Sequence, residues 1–161
     1  MVKNLLIAFL IAPLFSVAQF SPEMEHNLMV DHQFQLAKQM KEVQLSYELF
    51  KYSDAQKQLK QFSKKSKKSI NLIKYRLYSD SSLIKMNTAM MNLFEFYLQA
   101  SSEDLVKIID LTSKATDLSK DQLDELKSKI HLLNEREIEL DKLVHQAQLA
   151  VIEKHGFDLA P

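Results

Sequence analysis

Five histidines, seven methionines and a lysine-dense stretch are the residues of this 161-residue chain whose chemistry reaches beyond packing. Glu23-x-x-His26 has the i, i+3 spacing that puts a carboxylate and an imidazole on one helical face, as in di-iron bundles. Such centres need a second Glu-x-x-His and two further carboxylates, and the chain has no second copy. Non-covalent haem held between a methionine and an inward-facing His32 or His145 is the other arrangement open to a helical bundle. Methionine at helical spacing is mainly core filler, so a metal or haem bundle using His, Met and Glu is the alternative and no cofactor the primary expectation.

The stronger signal is electrostatic. Lys57, Lys60, Lys64, Lys65, Lys67, Lys68, Lys74 and Arg76 follow one another with no acid between Ala55 and Ser79. The span from Asp117 to Lys142 is the counterpart, with Asp117, Asp121, Asp124, Glu125, Glu135, Glu137, Glu139 and Asp141 against five cations. A cationic run of this kind is either a solvated face partly neutralised by a neighbouring acidic helix, or a docking patch for lipopolysaccharide, phospholipid headgroups or an acidic protein.

Nothing in the residues supports an enzyme. Without cysteine there is no thiolate nucleophile, disulfide, thiolate metal site or lipid-bearing N-terminal Cys. A single glycine excludes Gly-rich phosphate loops and the strained turn that exposes a nucleophilic serine. Glu135, Glu137 and Glu139 alternate around a helix rather than converge. Equal numbers of acids and bases, 21 of each, give no reason to expect nucleic acid as a partner.

The elements that must carry these residues are helices. Met1 to Ala18 has the pattern of a signal peptide: Lys3, an apolar stretch from Leu5 to Leu14 broken only by Pro13, then Ser16-Val17-Ala18 with small residues for cleavage after Ala18. The apolar run is shorter than the about 20 residues a span requires, so the expectation is an exported chain, periplasmic or secreted, with no span left after cleavage. Residues 19–161 then form one domain. No Gly or Pro occurs between Glu23 and His155, so helices can run long and must be delimited by Ser, Asp and Asn.

Ser21-Pro22-Glu23 opens the first helix, roughly 22–51, along a stripe of Met24, Leu28, His32, Leu36, Met40, Val43, Tyr47 and Phe50. Ser53-Asp54 opens the second, with Ala55, Leu59, Phe62, Ser66, Ile70, Ile73 and Leu77 to about Ser79. After the break at Ser79-Asp80-Ser81-Ser82, Leu83, Met86, Met90, Phe94 and Tyr97 form a third stripe. Ser101-Ser102-Glu103-Asp104 has the composition of a new cap before Leu105, Ile108 and Leu111, so residues 83–115 are one kinked helix or two. Ser119 and Gln122 make a capping box for the last helix. Its stripe is Leu123, Leu126, Ile130, Leu133, Glu137, Leu140, Val144, Ala147 and Val151, with Gly156 at the left-handed terminus.

Four such segments with short polar links predict an all-α, antiparallel up-down four-helix bundle, its third helix kinked or split near Ser101. It would be a monomer or, through the last helix, a homodimer. His32 and Glu137 interrupt the apolar stripes, and a buried charge there must be paired or neutralised. Phe96 and Leu98 lie off the third stripe, which suggests a helix covered on two sides or an interaction patch; Phe157 is placed to fold back over the bundle end.

The run Ala89-Met-Met-Asn-Leu-Phe-Glu-Phe-Tyr-Leu98, then Glu103-Asp-Leu and the ending Glu153-Lys-His-Gly-Phe157, resembles uncharacterised small exported proteins labelled leptospiral surface-protein-like, found in Gram-negative bacteria. The likeness covers the second half of the chain and rests on helix-packing motifs. It implies an exported, all-helical, non-enzymatic protein and assigns no functional residue. The expectation for function is therefore an exported binding or structural bundle. Its partner is an unidentified protein or anionic envelope component, met through Lys57 to Arg76.

Overall fold

The computed structural model describes residues 20–114 and 118–157. The expected signal peptide and cleavage point, Asp117 of the acidic span, and the tail after Phe157 lie outside them. The described chain contains helices α1 (Pro22–Glu48), α2 (Tyr52–Lys74), α3 (Ser81–Gln99), α4 (Leu105–Ser113) and α5 (Lys120–His155), with a π-helical turn, Ala100–Asp104, joining α3 to α4. Four rods result, because α3, the π turn and α4 are continuous.

Cross-helix bonds fix the directions. Lys65 reaches Gln39 and Arg76 reaches Glu25, so α2 runs against α1. Tyr97 bonds Glu137 and Lys154 bonds Asp80, so α5 runs against α3. The bundle is antiparallel and up-down, as the stripes predict. α1 packs on α2, α2 on α3 and α4, and α3 on α5; contact between α1 and α5 is sparse, and α2 and α5 occupy opposite corners.

Side-chain caps start three of the four rods, and a glycine ends the last. Ser21 accepts from the Met24 amide at α1, and Pro22 sits at the first position, where its missing N–H costs nothing. Asp80 accepts from the Ser82 and Leu83 amides and so starts α3. At α5 the Ser119–Gln122 box is reciprocal, and Gly156 closes the helix at φ 66°. The α1–α2 turn has no glycine, and there Phe50 takes a left-handed φ of 59°, an uncommon conformation for a bulky side chain.

The core is Met29, Leu36 and Val43 from α1, Leu59, Phe62 and Ile73 from α2, Met86, Met90, Leu93, Phe94 and Tyr97 from α3, and Leu140, Val144 and Val151 from α5. Phe96 and Leu98 pack against its edge. Phe157 covers one end, edge-on to His26 with ring centroids 5.2 Å apart and stacked on His155 at 6.5 Å.

Four expectations about stripe and boundary are corrected. Met24 and Phe50 are exposed, while Glu25, His26, Met29 and Gln39 are buried, so the inward face of α1 lies to one side of the expected stripe. α2 ends at Lys74, and Leu77 stands almost wholly in water, because residues 75–80 cross the bundle end to reach α3. Ser101 to Asp104 do not cap a new helix: their backbone stays helical, and the Ser101 and Ser102 hydroxyls donate back to the Leu98 carbonyl. The π turn also absorbs one residue, a rotation of about 100°. Ile109 therefore joins Ile108 in the interior, and Leu111 is left half in water.

Candidate functional site

α2 buries Leu59, Phe62, Ser66, Ser69, Ile70 and Ile73. At 100° per residue, that face leaves Lys57, Lys60, Lys64, Lys67, Lys68 and Lys74 on the outer side and Lys65 on the flank toward α1; all seven are exposed. Lys65 Nζ donates to Gln39 Oε1 at 2.7 Å, a neutral acceptor. Lys74 lies 5.6 Å from the Tyr75 ring centroid, over its face. Among the described residues none of the seven forms an ion pair.

The acidic helix does not neutralise this face. α5 sits at the opposite corner of the bundle, and its charges pair along itself or with the third rod: Lys127 with Asp124, Arg136 with Glu139, Lys129 with Asp104. The pair with Asp104 raises the Lys129 pKa, through the hydrogen bond first.

Arg76, the eighth cation of the sequence run, is not part of the lysine face. It lies beyond α2 at the bundle end, where it ion-pairs with buried Glu25. Tyr78 Oη donates to the other oxygen of that carboxylate at 3.1 Å, and burial with the Glu25 charge pushes the phenol well above its usual range. Phe20 places its ring over the Arg76 guanidinium. These groups line a hollow of about 570 Å³ between the α1 start and residues 75–80. Beside it Asp80 takes Lys154 Nζ at 2.6 Å, and that bond, with one from the Ser82 hydroxyl, holds its carboxyl far below the usual range. Sequence reasoning missed Glu25, because an acid in a first turn is expected on dipole grounds and taken as exposed. The complementary signal was Arg76, an arginine directly after a lysine-only helix.

The histidines do not converge. Glu23 is exposed while His26 is buried, so the Glu-x-x-His spacing does not aim both groups inward. His26 Nδ1 is 3.1 Å from Asn27 Oδ1, and its buried Nε2 has no hydrogen-bond partner among the described residues. His32 Nδ1 bonds Ser69 Oγ at 3.1 Å, and burial, aided by Lys68, lowers its pKa. His131 pairs with Glu135 on the surface, His145 is exposed, and His155 Nε2 lies 3.4 Å from Asp80 Oδ2. Among the described residues no three His, Asp or Glu side chains form a group that could hold a metal ion.

Glu137, the other off-pattern position, accepts from Tyr97 Oη at 3.0 Å. Burial raises its pKa against the opposing effect of that bond, and the nearby Asp141 charge adds to the rise. No described helix is long and apolar enough to cross a membrane. Compared with family models, curated proteins and solved structures, the chain matches none.

Proposed function

We propose that this chain is an exported, non-enzymatic helical bundle that docks on anionic lipid headgroups of a cell envelope through the outer face of α2. The observation that carries the reading is seven exposed lysines on one helix, unpaired with any described carboxylate and diagonally opposite the acidic helix. The expected leader and the likeness to small exported surface proteins support the address. A basic surface near an anionic leaflet gains about 1 kcal/mol per lysine, and salt screens that attraction within a Debye length of about 10 Å at 0.1 M. The lysine face offers only Leu72 and, at its end, the Tyr75 ring as exposed large apolar side chains among the described residues, so binding rests on charge rather than insertion.

The test is co-sedimentation with vesicles of phosphatidylglycerol and phosphatidylcholine across a salt series. Wild type binds at low salt and is released as salt rises. Replacing Lys64, Lys65, Lys67 and Lys68 by Glu abolishes binding without altering helicity. Failure of the wild type to bind anionic vesicles at low salt overturns the proposal, and capture of an acidic protein instead assigns the face to a protein partner.

A further inference from the structure

In the half of the molecule away from the Glu25–Arg76 cluster, α5 stands off from α1. The gap is a solvent-open cleft of about 300 Å³, walled by α1, α5 and the third rod at its π turn. Its surface is chiefly apolar, from Val43, Leu105, Ile108, Ile109, Ile130 and Leu133, with the rings of Tyr47, Phe96 and Tyr97 among them. That size is at the lower end for small-molecule pockets, and an apolar wall with a few polar groups is their usual chemistry.

The polar groups are one-sided. Glu48 and Glu137 line the cleft, and no Lys, Arg or His does. Both carboxylates are met only by neutral donors among the described residues: Gln44 Nε2 donates to Glu48 Oε1 at 2.8 Å, and Tyr97 Oη to Glu137 Oε1 at 3.0 Å. In each case the second oxygen has no donor among the described residues. Burial makes the charged form of Glu137 costly, and a cation arriving in the cleft would remove that cost.

We infer that the cleft is a binding site for a small organic cation, a protonated amine on an apolar body. Its N–H groups would donate to the open oxygen of Glu137 while its hydrocarbon covers Ile130, Leu133 and Ile108. The three rings offer π faces that attract a cation. A fatty carboxylate of the same size would meet two like charges and no counter-ion. A neutral apolar molecule would strip water from Glu137 without replacing its hydrogen bonds.

Three probes with one tail and different heads separate these cases: n-hexylammonium, 1-hexanol and hexanoate, each titrated into the full chain at pH 7 and followed by amide chemical shifts. Hexylammonium is expected to shift residues 130–137 and 105–109 and to bind at least about tenfold more tightly than hexanol, with hexanoate weakest. Glu137→Gln keeps an acceptor for Tyr97 and removes the charge; it should weaken hexylammonium about tenfold and leave hexanol unchanged. Glu48→Gln tests the other acid and should produce a smaller loss in the same direction. The inference is overturned if hexanol or hexanoate binds as tightly as hexylammonium, if neither Gln variant lowers amine affinity, or if none of the probes binds at millimolar concentration. Dimerisation through the cleft would also overturn it, and would appear as the same shifts on raising protein concentration alone.

Discussion

At the residue scale, the bundle carries a buried carboxylate, Glu25, and a half-buried one, Glu137, handled in opposite ways. Glu25 is given a full counter-charge by Arg76 and a hydroxyl by Tyr78. Glu137 is given one hydroxyl. Removing Arg76 therefore strands a charge. Arg76→Ala should cost about 2–3 kcal/mol in urea unfolding, below the roughly 3–5 kcal/mol of fully buried pairs because the arginine keeps partial access to water. Adding Glu25→Gln to that variant should recover much of the loss, and no recovery would mean that packing, not charge, dominates the site. Glu137 behaves in the reverse sense. Its folded pKa lies above the ordinary 4.5, so its contribution is fully present below pH 4.5 and is lost as pH rises through the folded value. Glu137→Gln is accordingly expected to unfold at higher urea than wild type at pH 7 and to lose that advantage near pH 4. A Gln variant weaker than wild type at pH 7 would contradict this account. His32 acts oppositely: its lowered pKa makes stability fall as pH drops below 6.5 through the folded value, in wild type and variant alike. That Glu137 sits on an apolar stripe was legible in the sequence; that Tyr97 is its partner was not. Periodicity gives a residue's angle around its own helix but not its height against the next.

At the element scale, the legible features were those written in local chemistry. Ser21, the Ser119–Gln122 box and Gly156 mark their helix ends where the caps are found, because a cap depends on side chains within four residues of the amide or carbonyl it serves. The Ser-rich segment at 101–104 misleads for the same reason. Its hydroxyls were expected to serve a new N-terminus, and instead Ser101 and Ser102 bond the preceding turn while the backbone stays helical. The π turn then sets the rotation of α4, placing Ile109 inside and Leu111 at the surface. Deleting Ser102 should remove the absorbed residue, restore α-helical pairing and leave α4 in its present rotation with Ile108 and Ile109 inward, at a cost below about 1 kcal/mol. Inserting one alanine after Ser102 should instead turn α4 by about 100°, so that Lys107 and Ile108 take the places of Ile108 and Ile109, with a loss of about 2–4 kcal/mol, comparable to a large-to-small core change. Urea midpoints lowered equally by the deletion and the insertion would show that the π turn does not set the packing of α4.

At the scale of the whole molecule, position in the bundle decides what a formal charge of zero means. Composition alone allows the basic and acidic helices to be neighbours, cancelling one another, and that was the bland expectation for the lysine run. An up-down chain with α1 and α3 across the short diagonal puts α2 and α5 at far corners instead, so the two charge sets face opposite directions. Separation across a bundle, two helix layers at 8–10 Å each, exceeds the Debye length at moderate salt. Each face therefore presents its own potential to whatever approaches. A chain of zero formal charge built in this way should be retained at pH 7 and low salt by both a cation exchanger and an anion exchanger. Changing Lys64, Lys65, Lys67 and Lys68 to Glu should remove only the first retention and strengthen the second. Uniformly mixed charge predicts weak retention on both resins for the wild type, so that elution pattern would refute the segregation and, with it, the electrostatic basis for docking through α2.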